Sequence, residues 1–175
     1  MKMRSLLLGA AAALTPIMSV AAQEAATPKN VISIQPLSAM YTVYSGEFER
    51  RAGQNVTFGV GGTYWNSPND DTDGDATYTS GDVKLRYYPG VALRGFSFGA
   101  SAGYSSVSET IGGTESSGGA PTFGIMLEYQ WLLGARSNMA VTLGAGAKKL
   151  FLDEDDFVDV IATYPTARIS IGWGF

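Results

Sequence analysis

The chain contains no histidine and no cysteine. Imidazole is the group that takes and returns a proton near neutral pH, and imidazole and thiolate are the usual ligands of zinc-type centres. Ser-His and Asp-His hydrolase or acyltransferase chemistry is therefore closed to it, and there is no disulfide framework. The chemistry that remains belongs to carboxylates, amines and guanidinium groups. Glu47 and Glu49 share one face of a strand-like segment and form a candidate acid pair. Basic residues of the same parity predict ion pairing there instead of proton transfer. No catalytic residue is assigned, no cofactor is expected, and the chain is read as a non-enzyme.

Eleven of the 16 acidic residues cluster in three stretches: Asp70, Asp71, Asp73 and Asp75; Glu109 and Glu115; and Asp153, Glu154, Asp155, Asp156 and Asp159. No base lies within those stretches. Asn69-x-Asp71-x-Asp73-Gly74 has the spacing that opens a calcium-binding loop, and Asp75 adds a further carboxylate. The twelfth position is Ser80, where such a loop needs a bidentate glutamate. Asn69, Asp71, Asp73 and Asp75 stay as candidates only, and the expected state is a solvated acidic loop with no metal site assigned.

A second set of charges follows a different rule. Glu47, Glu49, Arg51, Asp82, Lys84, Arg86, Glu128, Lys148 and Arg168 each occupy the polar parity of an alternating segment, four acids and five bases in all. Val56, Phe58, Val60 and Tyr64 alternate with Thr57, Gly59, Gly61 and Thr63. Val83, Leu85 and Tyr87 alternate with Asp82, Lys84 and Arg86. Over 95–106, Phe96, Phe98, Ala100, Ala102 and Tyr104 alternate with Ser and Gly. Over 121–132, Phe123, Ile125, Leu127, Tyr129 and Trp131 alternate with Gly124, Met126, Glu128 and Gln130; over 139–150, Val141, Leu143, Ala145 and Ala147 alternate with Thr142, Gly144, Gly146 and Lys148. From Pro165 the odd positions are Pro, Ala, Ile, Ile, Trp and Phe; the even ones from Tyr164 are Tyr, Thr, Arg, Ser, Gly and Gly. A period of two over some ten residues is a strand signature.

A soluble sandwich alternates too, with its apolar face inward. Here the polar faces are rich in Gly and Ser, which suit a crowded barrel interior, and aromatics sit near the strand ends, as in a membrane girdle. Segments of about 9–13 residues suit a tilted crossing of a bilayer. Val31–Leu37 and Tyr41–Arg51, joined near Ser38-Ala39-Met40, supply two further strands and bring the expected count to eight. Short connections fall near Ala52-Gly53-Gln54, Pro89–Arg94 and Ala135-Arg136-Ser137. Longer ones fall near Asn66–Ala76, Ser108–Gly119 and Asp153–Ala162. Short and long connections alternate, as periplasmic turns and outer loops do. The expected fold is an all-β, eight-stranded antiparallel up-and-down transmembrane β-barrel.

The N-terminus reads as an export signal. Lys2 and Arg4 precede a mostly apolar run from Ser5 to Val20, and Val20-Ala21-Ala22 supplies small residues for cleavage. The run is broken by Gly9, Thr15 and Pro16 and is too short to span a membrane. The expected organisation is a signal peptide at 1–22, a short periplasmic segment at 23–30 and the barrel at 31–175. Without Lys2 and Arg4 the exported part carries 10 bases and 16 acids, a net charge of −6. That balance disfavours nucleic acid as a partner.

The region from about 30 to 175 resembles the small eight-stranded outer-membrane barrels of the outer membrane protein X and outer membrane protein A barrel-domain type. Within it, Ile169, Ile171, Trp173 and Phe175 resemble the terminal signal read by the barrel-assembly machinery during biogenesis. The resemblance implies a monomer in the outer membrane of a Gram-negative-type bacterium, exported by the general secretory route, with outer-membrane lipid and lipopolysaccharide around it. Lys149, with outward parity near an outer strand end, is a candidate for lipid phosphates. Two departures are expected: a very short first outer connection, and no long protruding sheet.

A strand charge on the lipid face at mid-depth costs roughly 2–4 kcal/mol, so the nine alternating charges are expected in the lumen. An eight-stranded bore is just wide enough to be filled by side chains, so opposite charges there should pair and close it. The expected function is envelope structure or cell-surface interaction. Adhesion or ligand binding through the acidic loops, transport of small molecules through or out of the wall, and a soluble lipocalin-like periplasmic barrel remain alternatives.

Overall fold

The computed structural model of the chain describes residues 27–69, 74–111, 114–151 and 163–175. The signal segment 1–22, the acidic residues Asp71 and Asp73, and the loop from Asp153 to Ala162 lie outside them.

Eight strands run β1 (Asn30–Ile34), β2 (Val43–Arg51), β3 (Val56–Asn69), β4 (Gly74–Tyr87), β5 (Gly95–Ile111), β6 (Thr114–Leu133), β7 (Met139–Leu150) and β8 (Thr163–Gly174). Each pairs antiparallel with its sequence neighbour, and β1 closes onto β8 through Val31↔Gly174 to Ile34↔Ile171. The result is a closed eight-stranded up-and-down barrel. One end carries the short connections around 52–55, 88–94 and 134–138, the start of β1 and the end of β8, where Lys29 and Asn30 donate their amides to the Phe175 carbonyl at 3.1 and 2.9 Å. It is called the turn end below, and the opposite one the hairpin end.

The side chains follow the strand period. Phe58, Val60, Val83, Leu85, Phe98, Ile125, Leu127, Leu143, Ile169 and Ile171 are exposed on the outer wall. Glu47, Glu49, Arg86, Ser97, Ser101, Glu128, Gln130 and Ser170 are buried inside. The large apolar residues face out and the polar ones face in, the reverse of a water-soluble sandwich. At the turn end Phe96 meets Tyr129 edge-on at 4.9 Å, and Tyr129 tilts against Trp131 at 4.5 Å, a belt of amphipathic rings.

The wall is uneven in height. β3 and β4 stay paired to Asn69↔Gly74, and β5 and β6 to Ile111↔Thr114. Among the described residues β7 pairs with β6 as far as Leu150↔Thr122, and the Phe151 amide adds one bond to the Pro121 carbonyl at 3.0 Å. Most of the loop expected at Ser108–Gly119 is therefore paired strand, and a sheet of β3 to β6 protrudes at the hairpin end, contrary to expectation. Gly and Ser read as loop in isolation; the cross-strand ladder is what extends them. On the other side the wall is low. β1 stops at Ile34, three residues short of Leu37, and a short helix α1 (Pro36–Ala39) follows. Pro36 has no N–H for a ladder and holds Gln35 extended at φ −106°, ψ 90°, so the strand ends before it and a helix starts on it.

Candidate functional site in the barrel lumen

The lumen has three levels. The turn end is capped by the β4–β5 connection, which folds inward. Leu93 and Ala92 are fully buried, and Leu93 packs with Val31 and Ala140 under the partly buried Leu132. Folding back requires φ +70° at Leu93 and +86° at Gly95. Such a φ strains a leucine but not a glycine. Burial of Leu93 and the bond from Gln130 Nε2 to its carbonyl (2.7 Å) hold the strained turn. Tyr88 donates its hydroxyl to Glu49 Oε1 at 2.9 Å, and Thr57 also donates to that oxygen. Sequence reasoning placed Pro89–Arg94 in a plain turn. The apolar Val91-Ala92-Leu93 step was the available signal for a plug.

The middle level is a network of ions. Arg86, 1% exposed, lies 2.7 Å from Glu47 and 3.5 Å from Glu49 through Nη1, and its Nε donates to Glu128. The contact with Glu47 is close in distance without hydrogen-bond alignment. Glu47 also receives Lys84 and, at 2.7 Å, Arg168. Arg168 reaches Glu128 at 3.2 Å and Ser33 at 3.1 Å. Glycines make room for these long side chains. A Cβ on Gly144 would come within 2.6 Å of Glu128 Cγ, and one on Gly99 within 3.3 Å of Arg86 Cγ. Nearer the hairpin end, Lys148 pairs with Asp82 at 2.7 Å.

Eight of the nine expected lumen charges thus form ion pairs, in two groups. Arg51 differs. It is half-buried, with no ion-pair partner among the described residues, and its Nε finds no hydrogen-bond partner. It stands at the last position of β2. Glu47 and Glu49 do not act as an acid pair, because each is held by Arg86.

Above the network the lumen opens into a cavity of about 460 Å³. Trp65, Tyr78 and Tyr164 line its wall, and Asp82, Lys84, Lys148 and Arg168 its floor. Tyr78 and Ser105 bond at 2.9 Å, and Ser45 and Thr63 at 2.9 Å.

The other candidates lie elsewhere. The backbones of Asn69 and Asp75 are in β3 and β4, where Asn69 pairs with Gly74 and Asp75 with Pro68. Among the described residues no group of three acidic, histidine or cysteine side chains could hold a metal ion. Lys149 places its ammonium 4.9 Å over the Phe151 ring. Ile169, Ile171, Trp173 and Phe175 all point outward along β8 and just past it.

The sequence family described as "Protein of unknown function (DUF3575)" matches residues 8–163. No curated protein matches the sequence. Solved structures that share the fold include the following two. The N-terminal β-barrel domain of Pseudomonas aeruginosa OprF is 14% identical with a TM-score of 0.51; the match covers 85% of this chain and 99% of that one. Ail, the attachment invasion locus protein of Yersinia pestis, is 12% identical with a TM-score of 0.54 over the same shares. At such identities the likeness is one of fold: that of small eight-stranded outer-membrane barrels.

Proposed function

We propose, for a chain that belongs to the DUF3575 family, the role of a non-enzymatic integral outer-membrane barrel that contributes to envelope structure and whose lumen is closed to ion flow. The observation that carries this reading is the inverted distribution of side chains. Leu85, Phe98, Ile125 and Ile171 are roughly half exposed on the outside, while Arg86, Glu49 and Glu128 are buried inside. An apolar wall of this size is stable only against lipid. Ion pairs across the middle of the lumen and the Leu93 cap at the turn end support a closed bore. The absence of histidine and cysteine supports a non-catalytic role. The outer membrane of a Gram-negative-type bacterium, export with loss of residues 1–22, assembly of a monomer through the machinery that reads the β8 end, and lipopolysaccharide as neighbour all fit this reading.

Membrane fractionation with heat-modifiable gel migration tests the location, and planar-bilayer recording tests the closed lumen. The expected results are a folded band that shifts on boiling and no steady conductance. A soluble periplasmic fraction would overturn the first, and stable channels of porin size the second.

The protruding β3–β6 sheet favours surface interaction as a second reading. Its edge strand β6 has no β7 partner from Thr114 to Ala120 among the described residues, and an open edge is a template for an added strand. Replacing Ser116–Gly119 by a short turn should abolish attachment to surfaces while heat modifiability persists. Unchanged attachment would count against this role.

A further inference from the structure

We propose that the outer cavity takes the anionic head of a membrane lipid, which enters sideways through a gap in the barrel wall between β8 and β2. The inference rests on the outer-membrane reading above.

The gap follows from two prolines and the register. β1 pairs with β8 only from Val31↔Gly174 to Ile34↔Ile171. Beyond that, Thr163 to Ser170 of β8 are paired with β7 alone; on the other side the last bond to β2 is from the Gln35 amide to the Ser45 carbonyl (3.1 Å), and Val43 and Tyr44 have no β1 partner among the described residues. Pro36 ends β1, as described above. Pro165 stands in the stretch of β8 that pairs with β7 and has no β1 partner, an edge position where a strand tolerates a residue with no N–H to give. Among the described residues the opening is covered by α1, one turn long, which packs against both β2 and β8.

The cavity lies behind this opening. Its lining includes Gln35, Val43 and Ser45 from one side of the gap and Tyr164, Thr166 and Arg168 from the other. The sill is apolar and exposed, with Leu37 at 50%, Met40 at 77% and Tyr41 at 77%. Such side chains suit the boundary between acyl chains and headgroups. Behind the sill the lining charges are Lys84, Lys148, Arg168 and Asp82, with Glu47 and Glu128 below them paired to Lys84 and Arg168. Lys148 uses one donor on Asp82 and Lys84 one on Glu47. An ammonium has three, so donors remain for phosphate oxygens. A lipid phosphate can thus sit on the spare ammonium donors of the floor, ringed by Trp65, Tyr78 and Tyr164, while its chains stay in the bilayer through the gap.

Full-length protein in vesicles tests this with single-tryptophan variants. Trp65 lines the cavity, and Trp131 lies exposed on the outer wall. Phosphatidylglycerol or phosphatidylcholine, brominated on acyl carbons near the headgroup, serves as quencher. Trp65 in W131F/W173F should be quenched with a roughly fivefold preference for phosphatidylglycerol, the ratio one lysine near an anionic lipid surface provides. Lys148→Gln should bring the ratio towards one, and Asp82→Asn, which removes the competing carboxylate, should raise it. Equal quenching by both lipids would overturn the proposal. So would loss of the preference on adding millimolar inorganic phosphate, which would mean that the site takes a free anion from water. Trp131 in W65F/W173F reports insertion itself. If neither lipid quenches it, the outer-membrane reading fails; if both quench it and Trp65 shows no preference, only the lipid site fails.

Discussion

The two halves of one lumen are built from the same eight strands and differ in what fills them. The half near the turn end is packed with Leu93, Tyr88, Gln130 and the Arg86 network, and the half near the hairpin end holds a cavity of about 460 Å³. In the packed half the ions form one connected network, in which Arg86 and Glu47 each meet three opposite charges and Arg168 and Glu128 two, and in the open half Lys148 and Asp82 have only each other. The wall differs in parallel. Around the packed half the ladder is closed by β1, whereas beside the cavity β1 is missing. Closure of the hydrogen-bonded wall and filling of the bore go together, because a fully paired ring of eight strands is only wide enough for its own side chains.

Substitutions can break or sharpen this contrast. The largest effect is expected from Arg86→Met, which leaves Glu47, Glu49 and Glu128 facing one another with their shared guanidinium removed. Stranding one side of a buried ion pair costs about 3–5 kcal/mol. Urea unfolding of the lipid-reconstituted protein, followed by tryptophan fluorescence, measures it. A loss below about 1 kcal/mol, the value of an exposed pair, would erase the distinction between the halves.

Leu93→Ala tests the cap. It removes the buried side chain of the inward-folded connection and should cost about 2–5 kcal/mol. Planar-bilayer recording of the same variant should stay silent, since the ion network above the cap still blocks the bore. Channel opening would show that Leu93, and not the network, is the closure. Lys148→Met should have the smallest effect, about 1 kcal/mol or less, because the open cavity lets water solvate the Asp82 left behind. A loss as large as that of Arg86→Met would mean that the outer half is as dry as the inner one.

Much of the barrel was legible because a strand reports its two faces through a strict period. β7 falls at Met139–Leu150, where alternation placed it, and the outward set Phe96, Phe98, Ile125, Leu127 and Leu143 is exposed as expected. The charges on the opposite parity were legible as lumen residues for the same reason. Three features were not. The β5–β6 hairpin runs through Gly and Ser that only a paired neighbour holds extended. The β1 stop was written in Pro36, but apolar alternation through Leu37 masked it. The inward fold of Leu93 depends on Val31 and Ala140, far away in the chain.

The sequence by itself determined the face on which each charge sits, because side-chain direction in a strand depends on parity alone. Which charges meet was decided only by the closed barrel. Arg168 reaches Glu47 across 121 residues, and Lys148 reaches Asp82 across 66. Those partners come within bonding distance only when β1 pairs with β8 and the sheet curls on itself. The same closure, cut short by Pro36, decided that the bore is full at one end and open, to the side, at the other.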